Sequence, residues 1–219
     1  MAEEHSRTGL EDAISGFCAA STMAVVALAK SGEGFDWAEK MTALQHGNGD
    51  GTFAAGPSDA YTVLYGVLLL TALRKIAMGA VFGPLGDALG VSAGGDAIKF
   101  RQQGWVFVYY TTAFCWGLSE IVGSPYWFDT AALWRGYPHT AAMSPTFKLY
   151  FVAQLSFWFH MVFVTLIEPW QKDFLAMIVH HAITIAMSAP SSVAGPRPRA
   201  RADRAAAGAG WAAPTAWGC

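Results

Sequence analysis

Apolar residues in this chain fall into long runs separated by short polar or glycine-rich stretches, and the lengths of those runs predict helices of membrane-crossing size. The run from Ala13 to Ala29 is diluted by Ser15, Ser21 and Thr22, so it reads as a helix but only a marginal span. Ser31 to Ser58, with Gly47-Asn48-Gly49-Asp50-Gly51 inside it, reads as loop. Tyr61 to Leu73 is almost wholly apolar. Arg74-Lys75 interrupts it, Ile76 to Phe82 resumes it, and Gly83-Pro84 is expected to end the helix. The two cations are read as snorkelling to the surface. After a glycine-rich connector from Gly86 to Asp96, the aromatic-rich segment Gly104 to Gly123 reads as a span, with Lys99 and Arg101 at its first interface. Tyr126 to Pro138 is dense in Trp and Tyr and reads as interfacial. Phe147 to Ile167 is a second strong span, Glu168 to Asp173 a tight connector, and Phe174 to Ala189 a third, slightly short one.

The fold class expected is therefore all-α, a polytopic membrane helix bundle of about four to five hydrophobic helices. Residues 1–60 form an N-terminal region, 61–189 the membrane domain and 190–219 a tail. From Val193 to Cys219 the chain has 10 Ala, 4 Gly, 3 Pro and 4 Arg among 27 residues, with neither helical nor strand periodicity. Such a stretch is expected to be disordered. Its four dominant residue types all have GC-only leading codon doublets, so a shifted frame or a retained intron accounts for it as well as a lipid-binding basic patch does.

Composition sharpens this picture: 53% of residues are hydrophobic and 14% charged, against about 25% charged in soluble domains. A net charge of −2 gives no basic field to attract nucleic acid, so none is expected as partner. Cys18, Cys115 and Cys219 show no paired spacing, which argues against a disulfide framework or a zinc site. Glu3, Glu4, Glu11 and Asp12 precede the first apolar run, the wrong charge for a leader peptide. Two spans separate Lys99 and Arg101 from Lys172, so all three are expected on one side, which the positive-inside rule makes cytosolic.

The candidate chemistry lies in Lys172 to Thr184, where His180 and His181 sit together inside an apolar run. Burial favours the neutral imidazole, which can act as base, nucleophile or ligand, and polar groups at membrane depth are functional candidates by default. On a helix His180 and Thr184 share a face while His181 points about 100° away. A metal centre would have only His160, His180, His181 and Glu168 to draw on, without Glu-x-x-His spacing, and no metal is expected. His160 reads as a core histidine with a satisfied hydrogen bond, and Gln154 and Glu120 as bonds between helices. Trp105, Trp116, Trp127, Trp134 and Trp158 need only packing and interfacial roles.

Several blocks in order complete the reading. They are Pro84-Leu85-Gly86-Asp87-Ala88-Leu89-Gly90, Lys99-Phe100-Arg101-Gln102-Gln103-Gly104-Trp105 with Tyr109-Tyr110, and Trp134-Arg135-Gly136-Tyr137-Pro138. Lys148-Leu149-Tyr150-Phe151, Gln154-Leu155-Ser156-Phe157-Trp158 and Lys172-Asp173-Phe174 leading to His180-His181-Ala182-Ile183-Thr184 follow. Together they resemble the ceramide synthases, the longevity-assurance branch of the TLC lipid-domain family. The resemblance implies transfer of a fatty acyl group from coenzyme A to the amine of a sphingoid base. No cofactor is bound, and acyl-coenzyme A is a substrate. It implies His180 and His181 as catalytic residues supported by Thr184, Asp173 and Lys172, a multi-pass place in the endoplasmic reticulum membrane, and a homo- or heterodimer.

Two departures stand out. Glu168-Pro169-Trp170-Gln171 replaces the basic residues usual before Lys-Asp, and the family's second catalytic block, His-Asp-x-x-Asp, has no match after His181. The chain as written is thus expected to be C-terminally truncated, an incomplete TLC-type domain, and inactive by itself. The other reading is a non-catalytic TLC-type protein that binds or senses lipid.

Overall fold

The structure, a computed structural model, describes residues 2–91, 94–122, 127–128, 143–168 and 173–193, with side chains described from residue 9 to 188. Seven α-helices follow one another among the described residues: α1 (Ala2–Lys30), α2 (Asp36–Thr42), α3 (Asp59–Ala77), α4 (Gly83–Ala88), α5 (Gly94–Val122), α6 (Pro145–Ile167) and α7 (Phe174–Val193). A π-helical segment, Met78–Phe82, joins α3 to α4. The all-α reading holds. The expected interfacial segment at Tyr126 to Pro138 lies outside the described residues except for Trp127 and Phe128, and the tail lies outside them beyond Val193.

Among the described residues three stretches are long and apolar enough to cross a membrane, Gly9–Lys30, Asp59–Ala88 and Pro145–Ile167, with Phe174–Ser188 a shorter apolar helix, so the chain is a multi-pass membrane protein. Several expectations need correcting. The marginal first run belongs to a 29-residue helix. Its diluting residues explain themselves in three dimensions: Ser15, Cys18, Thr22 and Val25 are buried and recur at helical spacing, while Phe17 and Met23 point outward. Small residues let α1 lie close against α3, and the bulky ones are left for lipid. By contrast α5 is long enough, yet the expected span at Gly104 to Gly123 is not among the three. Trp105, Tyr109, Tyr110, Thr111, Thr112, Trp116 and Glu120 dilute its aliphatic side chains.

The third correction concerns Gly83-Pro84, where the helix does not stop. Pro84 lacks an N–H, and it falls in the first turn of α4, where none is needed. The π segment absorbs the register change, and the apolar run continues to Ala88. Similarly, the stretch expected as loop between residues 31 and 58 contains α2, whose Asp36 and Glu39 lie in the first turn and Lys40 in the last, and whose Ala38 is fully buried. The rest of that loop is tied to the start of α6, Phe53 and Met143 exchanging backbone hydrogen bonds of 2.9 and 2.8 Å.

Side-chain pairs define two ends of the bundle. At one, Glu11 of α1, Arg74 of α3, Gln102 of α5 and Glu168 after α6 converge. At the other, Lys148 of α6 meets Asp59 of α3. α3 and α6 therefore run in one direction, α1, α5 and α7 in the other. Helix approach is set by glycine at the tightest places. A Cβ on Gly66 would lie 2.3 Å from Ser156 Oγ, and one on Gly104 would lie 2.5 Å from the Phe82 ring. α6 holds the middle, with Lys148, Val152, Leu155, Ser156, His160 and Val164 along its buried face.

Candidate active site

α7 begins after the connector that follows α6 and runs back antiparallel along it, so residues equally far from the connector on the two helices meet. That pairing brings Trp158 of α6 against the two histidines. Its ring centroid is 5.7 Å from His181 and 6.3 Å from His180, and the two imidazoles are 5.5 Å apart. Tyr110 of α5 closes the other side of Trp158 at 6.4 Å.

The pair is divided as helical geometry requires. His181 faces inward and is 2% exposed, whereas His180 is exposed. Neither Nδ1 nor Nε2 of His181 has a hydrogen-bond partner among the described residues, and both are buried. A neutral imidazole always keeps one nitrogen with a free lone pair. In an apolar recess that lone pair can accept a proton or attack an electrophilic carbon without competition from solvent. His181 is thus the buried member of the pair, and His180 lies beside it on the outer surface.

The supporting residues fare differently. Thr184 donates to the His180 backbone carbonyl at 2.9 Å, within its own helix, so its hydroxyl is not bonded to either imidazole. Asp173 is exposed just before α7 begins, and Lys172 lies outside the described residues. Glu120 accepts from Trp116 Nε1 at 3.3 Å along α5, a bond within one helix rather than between two. Among the described residues no three His, Cys, Asp or Glu side chains cluster in a way that could hold a metal ion.

Arg74 does not snorkel. It is buried, donating to Glu11 Oε1 at 2.9 Å and bonded also to Glu168, which accepts from Gln102 Nε2 at 2.9 Å as well. Only Lys75 reaches the surface, where it pairs with Asp12. Burial pushes the Glu168 carboxyl above the ordinary carboxylate range, and Arg74 beside it works in the opposite direction. Lys148 is likewise buried, held by Asp59 Oδ2 at 2.7 Å and by the Ala54 carbonyl, while Asp59 Oδ2 also accepts from the Gly56 N–H.

Sequence reasoning missed Trp158 as a wall of the site, although counting outward from the Glu168 to Asp173 connector on both helices would have paired it with the histidines. It also missed the buried ion pairs of Arg74 with Glu11 and Glu168 and of Lys148 with Asp59. Their partners are 63 to 94 residues apart, and no local signal connects them.

Comparison with known proteins adds a family. Residues 99–199 match the TLC domain. Sphingosine N-acyltransferase lag1 of Schizosaccharomyces pombe is 35% identical over 151 residues, 69% of this chain and 38% of the yeast protein. Ceramide Synthase FUM18 of Gibberella moniliformis is 32% identical over 137 residues, 63% of this chain and 32% of the fungal protein. Ceramide synthase 5 of Mus musculus is 35% identical over 95 residues, 43% and 23% of the two chains. The matched part of this chain thus spans well under half the length of each of these relatives.

Proposed function

We propose, from the premise that this chain carries a TLC domain related to those of sphingosine N-acyltransferases, that the protein to which it belongs N-acylates a sphingoid base with fatty acyl-coenzyme A. The observation that carries the reading is the state of His181, almost wholly buried beneath Trp158 with both ring nitrogens unpaired among the described residues. The base's nitrogen attacks the thioester carbonyl, the C–N bond forms, the C–S bond breaks and coenzyme A leaves as its thiol. His181 takes the proton that the attacking amine loses and passes it to the departing sulfur. Alternatively its own nitrogen first receives the acyl group, and the amine then displaces it. The thioester is already activated, so neither ATP nor a metal enters the step.

The recess of His181 excludes water, which protects an acyl donor from hydrolysis, and the bundle holds two lipid chains against one another. The end of the bundle marked by Arg74, Gln102 and Glu168 is the cytosolic one in this proposal, because Lys99 and Arg101 lie at the start of α5 beside it. A soluble coenzyme A thioester arrives from there and the sphingoid base from the bilayer. The membrane is that of the endoplasmic reticulum, and a homo- or heterodimer is the proposed assembly.

The test is ceramide formation by membranes carrying the protein, supplied with a labelled fatty acyl-coenzyme A and a long-chain base. His181→Ala should lower the rate by about 100-fold or more. Undiminished turnover in that variant, at equal protein level, would reject the assignment.

A further inference from the structure

The interior holds a second histidine that the acyl-transfer reading does not use. His160 of α6 is 0% exposed and faces α3 and α5. Its Nδ1 lies 3.0 Å from Thr71 Oγ1. Thr71 has one hydroxyl proton, and it is donated to the Val67 carbonyl at 2.8 Å. The threonine oxygen can therefore only accept from His160, which fixes the proton on Nδ1 and leaves Nε2 as a bare acceptor. That Nε2 is buried with no partner among the described residues.

Trp105 of α5, 8% exposed, stands edge-on to the same imidazole with ring centroids 6.3 Å apart. Its indole Nε1 can only donate, and it too is buried and unpartnered among the described residues. One orphan donor and one orphan acceptor thus sit on neighbouring rings in a low-dielectric interior, where each alone is unfavourable. Two hydrogen bonds of about 2.9 Å each let one small group join polar atoms up to about 5.8 Å apart.

We infer that Trp105 and His160 form a binding site for a single hydroxyl group, whose oxygen accepts from Trp105 Nε1 and whose proton is donated to His160 Nε2. A water molecule supplies that chemistry in the resting protein, and the hydroxyl of a long-chain alcohol or amino alcohol supplies it when lipid enters the bundle. A carbonyl cannot fill the site, having no proton for Nε2, and an ammonium cannot, having no lone pair for the indole. The hydroxyl site rests on the geometry of α3, α5 and α6, and the long-chain amino alcohol as its occupant rests on the acyl-transfer reading.

Nitrogen-15 NMR of the full chain in lipid nanodiscs, with labelled His and Trp, tests it directly. The expected result is His160 protonated at Nδ1 and hydrogen-bonded at Nε2, with a Trp105 indole proton that shows a cross-peak to water. With a long-chain amino alcohol added, persistence of that peak identifies water as the occupant. Its replacement by a cross-peak to the lipid's carbinol group identifies the lipid, and either outcome supports the site. An indole proton with no contact to any hydroxyl, or bonded directly to His160 Nε2, would overturn it. In Trp105→Phe the Nε2 resonance should shift while the Nδ1 bond to Thr71 persists, a readout that needs only the folded wild type for comparison.

Discussion

His180 and His181 are adjacent in sequence and opposite in circumstance, and the difference follows from the 100° between successive residues of a helix. α7 turns one imidazole into the recess under Trp158 and the other outward. His180→Ala is therefore expected to reduce ceramide formation several-fold at most, against the much larger loss for His181→Ala. Whether the buried imidazole acts as base or nucleophile is decided by supplying the acyl donor alone. An acyl adduct on residue 181, seen by mass spectrometry and absent from His181→Ala, marks the nucleophilic route; an unmodified chain marks the general base. Thr184 provides a contrast. Its hydroxyl serves a backbone carbonyl of its own helix, so Thr184→Val should leave turnover within about twofold and stability within about 0.5 kcal/mol. A large loss of turnover in that variant would show that the hydroxyl leaves the backbone to serve the reaction.

At the scale of elements, what joins α3 to α6 is the absence of a side chain. Gly66 lets the Ser156 hydroxyl bond its own helix at Val152 O, 2.7 Å away, with no room between the two helices for a methyl group. Gly66→Val should lower stability by about 1–3 kcal/mol through overpacking. Ser156→Gly in the same chain should return part of it, measured by thermal unfolding in detergent. If Gly66→Val is harmless, the two helices are not held as close as the structure places them.

The same elements show what the sequence could reveal. The runs at Tyr61 to Leu73 and Phe147 to Ile167 are legible because each lies in a helix of membrane-crossing length and hydropathy, whereas Phe174 to Ala189, read as a third span, gives a shorter apolar helix. α1 was underrated because Ser15 and Thr22 lower its hydropathy, yet small polar residues are what a packed face in a membrane uses. α5 was overrated for the converse reason, its aromatic rings having counted as apolar mass. Pro84 reads as a stop because a π segment, which lets the helix pass it, leaves no mark in residue spacing. For the site, the His180-His181 pair was visible from its apolar setting. The burial that separates the two histidines and the ring that covers them depend on how α6 and α7 rotate against each other.

Seen whole, the molecule reverses the arrangement of a soluble protein. Phe107, Phe114, Leu175 and Met187 lie on the outside, while Arg74, Lys148, Asp59 and His160 lie within. Hydrocarbon solvates the outer side chains as well as a core would, so the interior is free to hold the polar groups that need partners. Two ion clusters consequently clamp the bundle, Arg74 with Glu11 and Glu168 at one end and Lys148 with Asp59 at the other.

A clamp of this kind contributes less by existing than it costs when broken, because desolvating two charges offsets most of their attraction. Lys148→Met leaves Asp59 buried without its cation and removes the donor from the Ala54 carbonyl, so it should destabilise the chain by about 3–5 kcal/mol. Lys148→Met combined with Asp59→Leu removes both charges, leaving only the Gly56 N–H and the Ala54 carbonyl short of a partner, and should recover most of that loss. The difference between the single and double variants in a denaturant titration isolates the cost of the stranded carboxylate. Equal destabilisation in both would show that Lys148 acts through the loop it anchors at Ala54 and not through the charge of Asp59.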